Sequence, residues 1–121
     1  MPEKTNIIYI MVDQQRFDML GAYGNIIVKT PNIDKLKGDG ILFTNAFTPT
    51  AICGPARTSL FTGLVPTSHG VVRNAEENVF GRAKADPLPG LPVLTDFLEG
   101  YEKVYLGKWH ISETKLDWKE W

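Results

Sequence analysis

Ile7-Ile8-Tyr9-Ile10-Met11-Val12, followed at once by Asp13-Gln14-Gln15-Arg16, is the stretch on which the fold turns. The first six residues are continuous, rich in β-branched side chains and free of Gly and Pro. Such a run reads as a strand buried on both faces, the kind found at the centre of a parallel sheet covered by helices. The apolar run stops abruptly, which puts four polar side chains at the strand's carboxyl end. In open α/β sheets that edge is where ligands bind.

Working outward, Arg16 to Ala22 suits a short helix, punctuated by Gly21 and Gly24. Thr30-Pro31-Asn32 offers a capping residue with Pro at the first helical position, and Gly38 and Gly40 close that helix. Ile41 to Phe47 alternates as a second strand. Pro49 to Pro55 reads as loop, and Ala56 to Thr62 as a helix stopped by Gly63. Val72 to Pro92, rich in Asn, Gly and Pro, is a long irregular excursion of the sort that is often functional. Val93 to Leu98 suits a helix, and Lys103 to Leu106 a third strand. The order implies an α/β fold. Three strands make a thin sheet with apolar edges. Residues 1–121 are therefore expected to be the first segment of one larger, truncated domain.

Composition excludes several classes of function. The chain has 121 residues, 43% hydrophobic and 22% charged, which is globular and not disordered. Thirteen Lys+Arg against fourteen Asp+Glu leave no basic excess for a nucleic-acid partner. The run at Ile7–Val12 is far shorter than the ~20 residues that span a bilayer. It also lacks a signal-peptide cleavage site, so a soluble, cytoplasmic chain with no membrane partner is expected as written. A single cysteine, Cys53, excludes an intramolecular disulfide and a thiolate metal cluster.

Cys53 lies in Thr50-Ala51-Ile52-Cys53-Gly54-Pro55-Ala56-Arg57-Thr58-Ser59-Leu60-Phe61-Thr62-Gly63. It falls in the turn before a predicted helix, where backbone N–H groups favour an anion. Arg57 follows one helical turn later and can face the same spot. A cysteine in that setting favours its thiolate; the plainer alternative is a small buried hydrophobe. The phosphate loop of cysteine phosphatases is excluded, because the arginine it needs six residues after the cysteine is here Ser59.

Cys-x-Pro-x-Arg followed by Thr-Ser-Leu-Phe-Thr-Gly resembles the signature of the sulfatase family, formylglycine-dependent enzymes of the alkaline-phosphatase-like superfamily. The likeness continues at Asn6 to Asp13, at Gly21-Ala22-Tyr23-Gly24 and at Thr30-Pro31-Asn32-Ile33-Asp34-Lys35-Leu36. It extends through Gly40 to Phe47 and ends at Gly107-Lys108-Trp109-His110.

The resemblance implies hydrolysis of a small-molecule or glycan sulfate ester. Cys53 would be oxidised to an aldehyde by a formylglycine-generating enzyme that reads the signature as a tag. Once hydrated, that aldehyde carries two hydroxyls on one carbon. One attacks sulfur and displaces the alcohol; deprotonation of the other re-forms the aldehyde and expels sulfate. Asp13 and Gln14 would bind a divalent cation, Ca²⁺ or else Mg²⁺ or Mn²⁺, with residue 53 as a further ligand. Ca²⁺ takes about 6–8 oxygens, so these residues make only part of a site. Arg57 would hold the hydrated aldehyde, Lys108 would meet the sulfate oxygens, and His110 would bond to the aldehyde or take its proton. Asn74 is a substrate-side candidate.

Two departures shape the expectation. Many family members carry two adjacent aspartates where this chain has Asp13-Gln14, and phosphonate and phosphodiester hydrolases of the superfamily carry Asp-Gln. The later ligands of family enzymes are also missing, which leaves open a non-catalytic remnant. Each residue has a plain alternative as well. Asp13 suits a helix cap, Arg57 and Lys108 surface charges, His110 and His69 structural histidines, and Trp109 packing.

Overall fold

The computed structural model describes residues 4–74 and 86–111. They fall into two compact units, Met1–Ala46 and Phe47–Trp121. Among the described residues there are helices and no strand, and no helix is long and apolar enough to cross a membrane.

In the first unit, Ile7–Val12 joins no ladder and lies open on both faces, with Ile8 85% and Ile10 78% exposed. Ile41 to Phe47 is likewise unpaired, with Ile41 81% exposed. The mostly parallel sheet expected from these segments and from Lys103–Leu106 is therefore not formed among the described residues. The physical reason is that a central strand needs a neighbour on each edge and a helical layer on each face. The predicted helix at Arg16–Ala22 is instead two single turns of 3-10 helix, Phe17–Met19 and Gly21–Tyr23.

The first α-helix, α1, runs Pro31–Asp39 with Pro at its start, as predicted. Thr30 precedes it, but its hydroxyl does not cap the helix backbone. It donates to Asp34 Oδ1 at 2.8 Å and accepts from the Gly21 N–H at 2.9 Å. Asp34 Oδ1 also accepts the Ala22 N–H at 2.6 Å. A Cβ at position 21 would lie 2.3 Å from Asp34 Oδ2, so a side chain there would displace the carboxylate from these bonds. The Gly21 and Thr30–Leu36 motifs thus form one hydrogen-bonded corner, which is a structural job.

The second unit is built on α2, Cys53–Thr62, which Gly63 stops in the left-handed conformation. The helix starts three residues earlier than the predicted Ala56. Proline is tolerated in a first turn because the N–H groups there have no partner within the helix. A short turn, α3 (Pro66–His69), follows. The predicted helix at Val93–Leu98 is a single 3-10 turn, Leu94–Phe97, entered with the Val93 N–H on Asp96 Oδ2 at 2.8 Å. Lys103–Leu106 forms no strand. Of the predicted excursion, residues 75–85 lie outside the described residues, and 86–92 are irregular as expected.

The interior of this unit is unusually polar. Arg57, Thr58, Ser59, His69 and Thr95 are buried beside Val71 and Ile111. Burial of polar groups is tolerable only where they are hydrogen-bonded, and the partners are found around α2. Thr58 Oγ1 donates back to the Gly54 carbonyl at 2.9 Å, and Thr62 Oγ1 to the Thr58 carbonyl at 2.8 Å. Ser59 Oγ meets His69 Nε2 at 2.9 Å, while His69 Nδ1 accepts the Val71 N–H at 3.1 Å. A ring nitrogen that accepts is unprotonated, so Nε2 carries the proton and donates to Ser59. Burial pushes His69 below its ordinary value, with backbone hydrogen bonds opposing, and its ring sits neutral at the end of α3 against Ser59 of α2. This agrees with the structural reading of His69.

Candidate active site

Residues 54, 57, 58 and 61 recur at helical spacing and form one face of α2. That face carries the contacts to Gly107–His110. Arg57 is buried, and its Nη1 donates to the Lys108 carbonyl at 2.7 Å. The Tyr105 hydroxyl donates to the same carbonyl, so both of its lone pairs are used. One turn further along, Phe61 meets Trp109 edge-on at 5.3 Å between ring centroids, and Tyr105 meets Trp109 at 5.2 Å. Trp109 is therefore a packing residue, as read from the sequence. The plain reading of Arg57 as a surface charge is overturned by its burial.

Cys53 is the first residue of α2 and is half-buried. Ile52, the residue before it, offers no side-chain cap. The Gly54 N–H is taken by Asn74 Oδ1 at 2.9 Å. A Cβ on Gly54 would lie 3.2 Å from Asn74 Oδ1 and 3.2 Å from the His110 carbonyl. Glycine at 54 therefore lets three segments close on the residue next to Cys53. Asn74 thus places its side-chain carbonyl on the first turn of the helix.

His110 holds φ 52° and Gln14 holds φ 57°. They are the two non-glycine residues in the left-handed region among the described residues. That conformation costs of order 1–3 kcal/mol and persists where surrounding structure enforces it, most often at functional sites. The Lys108 side chain is exposed, while its backbone is pinned by Arg57 and Tyr105. Asp13 and Gln14 lie in an exposed turn of the first unit. A carboxylate and an amide oxygen are hard donors that suit Ca²⁺ or Mg²⁺, so the donor chemistry fits a cation while supplying a minority of its ligands. Among the described residues no group of three His, Cys, Asp or Glu is placed to hold a metal. A small apolar cavity of about 100 Å³ between Phe61, Leu88, Leu91 and Ile111 carries no titratable group.

Tyr105, Gly54 and the Ser59–His69 pair were not singled out as site-forming from sequence. Tyr105 carried no periodic signal, because residues 105–109 form neither helix nor strand. Gly54 and Ser59 carried none, because their roles come from segments distant in sequence.

The sulfatase family pattern matches residues 5–118, and the chain belongs to that family. Among its relatives is an ulvan-active sulfatase of Formosa agariphila, 42% identical over 98% of this chain and 23% of the relative. Human steryl-sulfatase is 32% identical over 90% of this chain and 19% of its own length. Human N-acetylgalactosamine-6-sulfatase is 29% identical over 92% and 22%. The chain thus spans about a fifth of the length of the curated relatives it matches. No solved structure matches it significantly.

Proposed function

We propose that this chain carries the nucleophile segment of a sulfuric ester hydrolase whose substrate is a small-molecule or glycan sulfate ester. The observation that carries the reading is the Arg57–Lys108 hydrogen bond, which ties the Cys53 helix to Gly107–His110. Two segments far apart in sequence, both bearing candidate reactive residues, are joined at one point.

In this reading Cys53 becomes formylglycine through a formylglycine-generating enzyme. The hydrated aldehyde supplies a hydroxyl to attack sulfur and a second to release sulfate. Arg57, buried beneath residue 53 and fixed at Lys108, lends positive charge to the site. Lys108, anchored through its carbonyl, extends its ammonium to the sulfate oxygens where charge develops. His110 bonds to the hydroxyls of residue 53 or takes a proton from them. A divalent cation, Ca²⁺ before Mg²⁺ or Mn²⁺, would be held in part by Asp13 and Gln14, and when bound it would favour an ionised hydroxyl. The remaining ligands would come from the four-fifths of the domain that relatives have and this chain does not span. There the apolar faces of Ile7–Val12 would be covered as the central strand of a mostly parallel sheet.

Asp13-Gln14 favours a second reading, phosphonate monoester or phosphodiester hydrolysis, because the amide adds no negative charge beside the aspartate. The test is co-expression with a formylglycine-generating enzyme and peptide mapping across Cys53. Conversion lowers the peptide mass by about 18 Da, the change from thiol to the aldehyde this nucleophilic chemistry requires. Aryl sulfate and phenylphosphonate esters are then compared as substrates for the longer protein that carries this segment. Sulfate turnover abolished by Cys53→Ala supports the first reading, and a preference for phosphonate the second. An unconverted thiol with no turnover of either ester sinks both.

A further inference from the structure

We propose that Asn74 is a positioning residue for position 53, capping α2 from outside the helix and setting the direction in which residue 53 leaves its start. The proposal rests on the reading of residue 53 as the reactive position.

A helix start leaves its first N–H groups without partners inside the helix, and a polar side chain just before the helix usually supplies one. Here the preceding residue is Ile52, which has no polar side-chain atom, and no local cap is made. Pro55 has no N–H to satisfy. The Gly54 N–H is answered by Asn74 Oδ1 at 2.9 Å, from twenty residues further along the chain. An N–H donor requires an acceptor, so the Asn74 side chain is oriented with its oxygen on Gly54.

The contact is closed from a second side. The missing Cβ of Gly54 leaves room for Asn74 Oδ1 and for the His110 carbonyl, each 3.2 Å from where that Cβ would sit. Asn74 and His110 therefore pack at Gly54, the residue that follows position 53 in the first turn of α2. The left-handed φ of 52° at His110 is the backbone turn at that contact. Loss of the Asn74 acceptor frees the first turn to fray, and residue 53 is the residue that moves.

Cys53 is the chain's single cysteine, so thiol alkylation reads this position alone. The experiment uses the unmodified 121-residue chain and iodoacetamide, with the alkylated fraction followed by intact mass. Asn74→Ala is expected to speed alkylation about fivefold, the population change that loss of a typical cap produces. Asn74→Asp keeps an acceptor at the same place and is expected to stay within about twofold of the parent. Thr62→Val removes a hydrogen bond at the far end of the same helix, where Thr62 Oγ1 donates to the Thr58 carbonyl at 2.8 Å. It is expected to lower the thermal midpoint while leaving Cys53 alkylation at the parent rate.

Parent-like alkylation of Asn74→Ala overturns the proposal. So does equal acceleration in Thr62→Val, which would mean general loosening of the helix. A failure of Asn74→Asp to restore the parent rate does the same. The readout uses no sulfatase chemistry. An unconverted Cys53 in the co-expression experiment therefore counts against the proposed function and leaves this result standing, and the converse also holds.

Discussion

The two units handle their buried groups in opposite ways. In the second, a polar interior closes on itself: Arg57 reaches Lys108, Ser59 reaches His69, and Gly54 reaches Asn74. In the first, the helical elements bury no residue, and Ile7–Val12 and Ile41–Phe47 lie open. A helix satisfies its own backbone and needs only a few side-chain partners. A strand satisfies neither edge alone. The segment carrying Cys53 is thus held by side-chain hydrogen bonds, while the apolar run before Asp13 is exposed.

Arg57→Ala should break this contrast most severely. It removes a charged hydrogen bond to the Lys108 carbonyl and the packing of a buried side chain. The expected loss is about 2 kcal/mol of stability in the second unit. Hydrogen exchange should show faster exchange at residues 105–110 and no change in α1. Equal loosening of both units would dissolve the distinction between them.

His69 gives a smaller effect with a defined sign. Its value is depressed in the fold, so the unfolded chain takes up a proton more readily. The stability it contributes is full above about pH 6.5, the ordinary histidine value, and is lost as pH falls through the lower folded value. Denaturant midpoints from pH 7.5 to 5 should fall more steeply for the parent than for His69→Gln. Parallel pH profiles would show that His69 is not held neutral.

The smallest effect sharpens the comparison from the other side. Ile8→Asp in this chain exchanges one exposed side chain for another and should alter stability by within about 0.5 kcal/mol. In a longer protein that covers this strand, the same change buries an unpaired charge and should cost more than about 4 kcal/mol. A large effect in the 121-residue chain would mean that Ile8 is already packed.

The candidate site was legible in part because its signals are local. Cys53, Arg57 and the Gly107–His110 segment could be picked out from residue type and short spacing. The α1 boundaries followed from Pro31 and Gly40, since proline and glycine act through their own backbone restrictions. The start of α2 was placed too late because Pro55 read as a breaker. Its position in a first turn depends on how the chain enters the helix from Ile52. The bond from the Gly54 N–H to Asn74 was not legible, because nothing in the neighbours of Asn74 reveals a partner twenty residues away.

Sequence alone determined the family, the candidate nucleophile and the apolar run of the expected strand, since motif and hydrophobic period are properties of consecutive residues. Tertiary structure alone decided that Arg57 is buried on Lys108, that Asn74 caps the helix of Cys53, and that His69 holds Ser59 as a neutral donor. Each of these pairs residues ten or more apart, and the geometry that joins them exists only once the chain has folded. The same reason explains the unformed sheet. A strand's pattern is written in its own residues, but its hydrogen bonds belong to a neighbour.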